Sequence, residues 1–407
     1  MEKIKEFKGS SPNTIKEMNM SIVIDKIRCS TGITRAELSR NLDLTQTSIS
    51  RIVNELLRKH IILECGIGKS EGGKKPIILK YNSKREFVLA GDFNIDYFNL
   101  AISDLNGEII FEKKYNIFKS PETIDLRIDI SKNILSFIKE SKINKNKIKI
   151  MVLGIPATID PYTQITSSFL YKKSWDGINI SNEINKIIEI PIFVQNEANL
   201  AALGEYKFRN KIINNFVFIS IGIGIGAGII LNGRIFKGYS GSAGEIGFLI
   251  IDKINNQKRD INLGQFENLA SIYSTCKKAN DLIEKGKAKS LLKYCSHENK
   301  LSIEDIITSK KNKNEISTRI INEALNNLAY GISNVIVTLN PELLVISGEI
   351  FELDNSLIYN LKEIIEKIIP VKTHIELSQL GEKAELRGAI YSALNEYDKN
   401  LISPIFH

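Results

Sequence analysis

Apolar residues follow a helical period between Thr34 and Leu57, the most regular pattern in this chain. Thr34 is followed three residues later by Glu37, which is the spacing of a capping box that begins a short helix. Thr45 is placed to cap a second helix after a three-residue turn. The apolar positions of that second helix recur at i, i+3, i+4 and i+7 and predict one buried stripe: Ile49, Ile52, Val53 and Leu56.

The opposite face of the second helix is polar. It carries hydroxyl, amide and guanidinium groups, the donors and acceptors that read base edges and phosphates in a major groove. The residues expected to contact DNA from this helix are Thr45, Gln46, Thr47, Ser48, Ser50, Arg51 and Asn54. Two short helices with small polar residues opening the second are typical of a helix-turn-helix. The alternative is an ordinary helical hairpin with a solvated face, and the pattern alone favours neither.

The segments on either side of this helix pair favour DNA binding. Residues 13–28 predict a preceding helix with these apolar residues available for the core: Ile15, Met18, Ile22, Val23 and Ile27. After the pair, residues 61–81 read as strand, Gly/Lys loop and strand, the pattern of a wing. Lys74 and Lys75 in the loop are expected to lie along the DNA backbone or minor groove.

The distribution of charge supports the same interpretation. The chain has 407 residues and a net charge of +8. Residues 1–85 hold 17 Lys and Arg against 9 Asp and Glu, whereas the remainder holds 38 of each. A basic module joined to a neutral one is the electrostatic signature of a DNA-binding unit attached to another domain.

The remainder of the chain predicts a duplicated α/β fold. Three strands over 87–93, 97–104 and 108–116 include an Asn-Gly turn, the strongest short hairpin signal. The same arrangement returns at 216–221, 226–231 and 234–236. Helices are predicted over 121–140, 179–188, 197–208, 266–285, 315–339, 356–368 and 383–396, and further strands over 148–153, 191–194, 343–346 and 374–377. Two such halves predict two lobes with a cleft between them, and the alternative is a chance recurrence of common hairpins.

Several classes of protein are disfavoured by composition. No apolar run reaches the length of a membrane span, and the charged N-terminus lacks the apolar segment of a signal peptide. The four cysteines are scattered, with no metal-binding or redox spacing. We therefore expect a cytoplasmic protein without membrane contact, metal or cofactor.

Three motifs in the predicted cleft carry candidate chemistry. Residues 221–228 place glycine at alternate positions, which permits close approach of a sugar or phosphate, or tight packing on a neighbouring element. Residues 196–205 begin with Asn196 and Glu197 ahead of a small-residue helix, so they offer sugar ligands or a simple cap. Residues 238–247 place Glu245 between glycines, in a cleft or in a solvated loop. For each motif taken alone, the structural alternative (tight packing, a helix cap or a solvated loop) is at least as probable as ligand binding.

Together and in this order, these motifs resemble the ROK family of repressors, open reading frames and kinases. The resemblance covers nearly the whole chain, and the Gly72-Gly73-Lys74-Lys75-Pro76 loop is similar to the wing of the repressor branch. It implies a winged helix-turn-helix followed by an actin-like (ribonuclease H-like) two-lobed sugar-binding domain. Asn196, Glu197, Glu245 and Glu267 fall where family members contact the sugar. The Asn-Glu-Ala-Asn sequence at 196–199 is similar to the xylose-repressor-like branch.

Departures from the kinase members of the family imply that phosphoryl transfer is absent. The phosphate loop at 91–97 keeps Asp92 but lacks the glycines that would cradle ATP, and Ile223 stands where kinases have a threonine that contacts phosphate. Glu197 replaces the catalytic aspartate. Phe248 replaces the histidine of the family's zinc site, and residues 260–267 contain no cysteine, so no zinc is expected.

The combined interpretation is a sugar-responsive transcriptional repressor and not an enzyme. We expect domains at 1–82 (DNA-binding), at 87–196 with 383–407 (first lobe) and at 197–382 (second lobe). The expected partners are an operator in double-stranded DNA, a monosaccharide such as xylose, and further copies in a homodimer or homotetramer. The alternatives are a ROK-type sugar kinase with an appended DNA-binding domain, and a repressor controlled by a partner protein.

Overall fold

The computed structural model describes residues 12–67, 76–94, 97–116, 126–167, 176–253, 264–296 and 300–402. These residues form an N-terminal unit of three helices with a small sheet, followed by two five-stranded sheets with their helices. Lys74 and Lys75 lie outside the described residues, so the predicted wing loop stays a prediction.

The N-terminal unit contains the predicted helix pair. Its elements are α1 (Pro12–Arg28), β1 (Ile33–Thr34), α2 (Arg35–Leu42), α3 (Gln46–Arg58), β2 (Ile62–Ile67) and β3 (Ile77–Tyr81). The capping box is confirmed: the Thr34 hydroxyl accepts from the Glu37 amide at 3.3 Å, and the Glu37 carboxylate accepts from the Thr34 amide at 2.8 Å. α2 ends at Asp43 in the left-handed region (φ 51°). The strands pair antiparallel in the order β1-β3-β2.

The core of this unit confirms the predicted stripe of α3 but corrects the face of α1. All four predicted positions of α3 are buried. On α1, Met18 and Ile22 are 58% and 45% exposed, although both were predicted in the core. The helix instead buries Met20, Val23, Ile24 and Ile27. Apolar residues occur on several faces of α1, so contacts with the other elements, and not the sequence period, select the buried one. The side chain of Ile15 lies outside the description.

The first lobe is built on a five-stranded sheet. Its elements are β4 (Phe87–Phe93), β5 (Tyr97–Asp104), β6 (Ile109–Asn116), α4 (Leu126–Ser141), β7 (Ile148–Ile155), β8 (Thr158–Ile159), β9 (Thr166–Ser167), α5 (Ile180–Ile188) and β10 (Ile192–Asn196). The sheet order is β10-β7-β4-β5-β6, parallel across the first three strands and antiparallel across the last three. β8 and β9 form a separate small hairpin.

The second lobe repeats this topology. Its elements follow the helix α6 (Glu197–Phe208): β11 (Asn215–Ile221), β12 (Ile225–Leu231), β13 (Arg234–Ile235), α7 (Gln265–Ala270), α8 (Ile272–Glu284), α9 (Ile303–Lys311), α10 (Glu315–Leu339), β14 (Leu343–Ser347), α11 (Glu349–Leu353), α12 (Leu357–Ile368) and β15 (His374–Leu377). The order β13-β12-β11-β14-β15 matches the first sheet strand for strand, with the same parallel and antiparallel pairs. The predicted duplication is therefore confirmed.

Two helices lie between the sheets: α6 and α13 (Ala384–Ile402). They cross in backbone contact at Gly204 and Gly388, where an added Cβ on either glycine would collide with the other helix. α13 also packs on β4 and β7, and α6 packs on β11 and β12. The pair therefore connects the two lobes, and the cleft opens at its end.

Three features of the second lobe differ from prediction. The helix expected over 266–285 is divided at Ser271, whose hydroxyl accepts from the Ser274 amide at 3.1 Å and caps α8. The helices α9 and α11 were not predicted. None of the described helices combines the length and apolarity needed to cross a membrane.

Candidate functional site

A cleft of about 370 Å³ lies between the lobes and contains all four predicted sugar-binding residues. It is bounded by the ends of β7, β10 and β11, the starts of β12 and α6, and the loops that follow β13 and β14. Because parallel strands of both sheets end here, side chains far apart in sequence converge on one space.

Asn196 has a positioning role at the start of α6. Its Oδ1 accepts from the Asn199 amide at 3.1 Å, which caps the helix, and its Nδ2 donates to the Ala157 carbonyl at 3.2 Å. The capping alternative is thus realised. One amide hydrogen of Nδ2 still has the capacity to meet a ligand.

Glu197 is a half-buried carboxyl group at the first position of α6. Burial raises its pKa to about 8, and the neighbouring carboxylates of Asp92 and Glu245 add to the shift. At neutral pH the group is therefore largely protonated and able to donate as well as accept a hydrogen bond.

Glu245 joins the two lobes across the cleft. Its Oε1 accepts from the Thr158 hydroxyl in β8 at 3.1 Å. Burial raises the pKa of Glu245, an effect that the hydrogen bond from Thr158 opposes. The glycines before it are required, because a Cβ on Gly244 would collide with the carbonyl of Ala227. The end of the motif, Ala243 to Glu245, therefore lines the cleft, whereas Tyr239 is exposed to solvent.

Glu267 holds the floor of the cleft together. It is 7% exposed, and its two carboxylate oxygens accept from the backbone amides of Ile225 at 2.9 Å and Gly264 at 3.1 Å. It thereby ties the turn before β12 to the start of α7. Its predicted contact with sugar would be made in addition to these two bonds.

The glycine-rich motif divides into two parts. A Cβ on Gly228 would collide with α6 at Ala198 and Ala202, so this glycine is needed for tight packing. Gly222, by contrast, has no atom within 4 Å of an added Cβ and lies in the turn that lines the cleft. Ile223 in the same turn is partly exposed, and Phe248 is 52% exposed beyond the cleft lining.

A carboxyl pair beneath the cleft was not predicted as a unit. Asp92 in β4 is buried, and it shares a hydrogen bond with Glu385 in the first turn of α13. Burial raises the pKa of Asp92 to about 6, and burial with the charges of Asp92 and Glu197 raises the pKa of Glu385 well above its ordinary value. Among the described residues, neither Asp92 Oδ1 nor Glu385 Oε1 has a hydrogen-bond partner. The available sequence signal was a glutamate between Ala384 and Leu386, both of which are apolar, at the start of α13.

The ionisable groups of the cleft are predominantly acidic. Seven glutamates line it, and the described lining contains no lysine, arginine or histidine. The neighbouring cation is Lys114, which pairs with Glu382 at 3.5 Å and lies over the Tyr97 ring at 4.0 Å. The cleft therefore offers many acceptors to hydroxyl groups and repels anions.

The predicted DNA-contacting residues lie on and before α3, and most of them face solvent. Gln46, Thr47 and Arg51 are exposed. Thr45 and Ser48 bond to each other at 2.9 Å as part of the cap, and Asn54 Oδ1 accepts from Arg35 at 3.4 Å. Arg35 also pairs with Glu64 of β2 at 3.2 Å, which ties the polar face of α3 to the sheet.

The four cysteines are unpaired, with Cys29 and Cys65 exposed and Cys276 and Cys295 half-buried. In the part of the chain that the structure describes, no group of three or more His, Cys, Asp or Glu residues is arranged to hold a metal ion. The site thus consists of carboxyl groups, amides and backbone donors.

Comparison with known proteins relates the chain to both regulators and kinases. The ROK family model matches residues 90–396. A xylose repressor of Bacillus spizizenii is 31% identical over 381 residues, covering 91% of each chain. Among solved structures, a ROK family transcriptional regulator, homologous to the MLC protein of E. coli, is 25% identical with a TM-score of 0.77, covering 96% of this chain and 99% of its own.

A kinase comparison shows which part of the fold is shared more widely. A ROK family glucokinase from Streptomyces griseus, solved with glucose and AMPPNP, is 18% identical with a TM-score of 0.62. It covers 76% of this chain but 99% of its own length. The actin-like two-lobed fold is therefore common to both groups. The family model matches across both lobes, and the two regulators match more than nine-tenths of the chain. The chain therefore belongs to the ROK family.

Proposed function

We propose that this chain is a sugar-responsive transcriptional repressor that binds operator DNA through its N-terminal unit. The observation that carries the proposal is the joining of two features in one chain. Residues 1–85 contain a capped helix pair with a polar face and carry the whole net positive charge, and a cleft presents seven glutamates without a cation in its described lining. The relatives named as xylose repressors match over both parts.

The N-terminal unit acts in this proposal as a winged helix-turn-helix. α3 enters the major groove with Gln46, Thr47, Ser50, Arg51 and Asn54, while Thr45 and Ser48 fix its first turn and contact phosphate. Lys74 and Lys75 neutralise phosphates beside it. A dimer or tetramer presents two such units to half-sites about 34–36 Å apart or a multiple of that distance. We take residues 1–82 as this domain, and 87–196 with 383–407, and 197–382, as the two lobes of a cytoplasmic protein.

The ligand of the cleft is a neutral monosaccharide. Asn196, Glu197, Glu245 and Glu267 bind its hydroxyls, since carboxyl groups accept or donate several hydrogen bonds each. A phosphate ester is rejected, because no cation of the described lining offsets its charge in a space lined by glutamates. Xylose is the first sugar to test, given the names of the relatives.

Phosphoryl transfer is not part of the proposed function. Catalysis of that reaction depends on positive charge and on a positioned base. Glu197 is largely protonated at neutral pH, so it is not a ready base, and Asp92 is buried and hydrogen-bonded to Glu385. ATP-dependent phosphorylation of a sugar, lost in Glu197→Gln, would overturn this part of the proposal.

Thermal unfolding with a panel of sugars tests the proposed ligand. A ligand that binds only the folded state raises the melting temperature as its concentration exceeds the dissociation constant. Xylose or another neutral pentose or hexose should raise it, and the matching sugar phosphates should not. Stabilisation by a sugar phosphate would contradict the proposal of a neutral ligand. Stabilisation by no sugar at all would contradict sugar binding and favour control by a partner protein.

A further inference from the structure

One helix reaches from the sugar cleft to the N-terminal unit. α13 begins beside the cleft with Glu385 in its first turn and ends with Asp398 and Leu401 against the N-terminal unit. Glu385 and Asp398 are thirteen positions apart, which spans about 20 Å of helix. The two ends of α13 therefore contact different parts of the molecule, the cleft at one end and the N-terminal unit at the other.

At the cleft end, Glu385 lines the cleft together with Glu197. It forms a side-chain hydrogen bond with Asp92, and the charges of Asp92 and Glu197 both act on it. A Cβ on Gly154 of β7 would collide with its Oε1, so the carboxyl group lies directly against the strand. A sugar that binds Glu197 changes the partners of this cluster.

At the other end, α13 is held to the N-terminal unit by a two-pronged ion pair. Arg28 at the end of α1 donates to both oxygens of Asp398, at 2.7 and 2.8 Å. Arg28 also donates to the Tyr81 hydroxyl of β3 at 3.1 Å and lies over the Tyr81 ring at 4.6 Å. Such a fork fixes both distance and direction, unlike a single surface contact.

Apolar packing continues the same joint. Leu401 and Tyr81 each contact the core of the N-terminal unit and the core beneath the first sheet. Between the ends, α13 is backed by α6, whose Glu205 accepts from the Gln379 and Leu380 amides at 2.9 and 3.2 Å. The loop that leads into α13 is thus anchored to the helix that also carries Glu197.

We propose that α13 transmits the occupancy of the cleft to the N-terminal unit, with Glu385 as the sensing residue and the Asp398–Arg28 pair as the joint. This inference rests on the proposed function for its ligand, and it adds how the two sites communicate. A sugar can shift operator affinity only through different interactions in two states. In this proposal, α13 and its forked ion pair adopt two arrangements, and the N-terminal unit is oriented differently in each.

Operator binding of Asp398→Asn, with and without xylose, tests the joint. Operator DNA is first selected from random duplexes with the wild-type protein. Xylose should shift wild-type operator affinity about 5–150-fold, the usual range of such coupling. Asp398→Asn should bind xylose within about twofold of wild type yet lose most of that shift. Arg28→Lys, which keeps the charge but not the fork, should behave alike.

A matched control lies on the same helix. Glu396 pairs with Lys399 of α13 at 2.7 Å, so Glu396→Gln removes a carboxylate of the same helix without removing a group of the Asp398–Arg28 pair. It should retain the full xylose response. A full response in Asp398→Asn, or equal losses in the control and the test variant, would overturn the proposal while leaving the sugar-responsive function intact.

A double-mutant cycle tests α13 without sugar. Operator affinity is measured for Glu385→Gln, Asp398→Asn and the double variant. Residues about 20 Å apart ordinarily give additive effects within roughly twofold. Because Gln mimics a protonated carboxyl, Glu385→Ala is measured in the same way, alone and beside Asp398→Asn. We expect Glu385→Ala to change operator affinity clearly in the wild-type background and by less than about twofold beside Asp398→Asn. Additive effects contradict the proposal. A non-additive cycle in a protein whose operator affinity does not respond to xylose would support the role of α13. It would contradict the proposal that xylose is the ligand.

Discussion

Glu197 shows at the scale of one residue how the cleft changes ordinary chemistry. Its side chain was expected to offer a charged acceptor to sugar hydroxyls. Burial beside Asp92 and Glu245 instead raises its pKa to about 8 from an ordinary 4.5. The protonated form that results at neutral pH can also donate to a hydroxyl oxygen, so its proton is part of the proposed ligand contact.

The protonation of Glu197 predicts a pH dependence of stability. A carboxyl group whose pKa is raised by folding contributes stability that is complete below pH 4.5 and is lost as pH rises through about 8. The melting temperature should therefore fall between pH 4.5 and about pH 8, and less steeply in Glu197→Gln. Glu189→Gln, which removes an exposed glutamate paired with Lys145, is the control and should follow wild type. Coincident profiles for Glu197→Gln and wild type would show that this group stays ionised.

Arg51 provides the residue-scale test of DNA contact. Its guanidinium group is exposed on α3, with room to form a bidentate contact with a base or phosphate. Arg51→Ala should weaken operator binding by about 1–3 kcal/mol in an anisotropy titration if it reads a base. Lys367→Ala removes a surface cation on α12, paired with Glu363, and should leave affinity near wild type. Equal effects of the two substitutions would remove Arg51 from the interface.

At the scale of elements, local patterns predicted most helices and strands but not every contact between them. Caps and alternation are encoded by neighbours in sequence, so α3, β4 and β5 lie within about a residue of prediction. The inward face of α1 was partly wrong because Met18 and Met20 are both apolar, and only packing distinguishes them. The role of Glu385 was not predicted because it depends on a hydrogen bond with Asp92, which is nearly 300 residues away in sequence and comes close only in the folded chain.

The contact between α6 and β12 gives an element-scale prediction. A Cβ on Gly228 would collide with Ala198 and Ala202, whereas a Cβ on Gly226 would lie 3.4 Å from the Cβ of Ala198, an ordinary contact. Gly228→Ala should lower the free energy of unfolding by about 1–3 kcal/mol through overpacking. Gly226→Ala, two residues away on the same strand, should change it by less than about 1 kcal/mol. Urea unfolding of both variants makes the comparison, and equal stabilities would show that the helix and strand are more loosely packed.

At the scale of the whole molecule, the fold separates two sites and connects them. The cleft lies between two lobes of the same topology, and the polar face of α3 belongs to a separate small unit. α6 and α13 form the contact between the lobes, and α13 continues to Arg28. The family resemblance supplied the positions of the cleft residues in advance, while the connection through α13 could be recognised only in three dimensions.

The central claim is that sugar and operator binding are thermodynamically coupled, and calorimetric xylose titration with and without operator measures this most directly. Coupling is reciprocal, so operator must change xylose affinity by the same factor, about 5–150-fold, by which xylose changes operator affinity. Glu245→Ala, which removes the carboxylate that bonds Thr158 across the cleft, should keep sugar-free operator binding and lose the sugar response. Equal xylose affinities with and without operator in the wild-type protein, or an unchanged response in Glu245→Ala, would contradict the account.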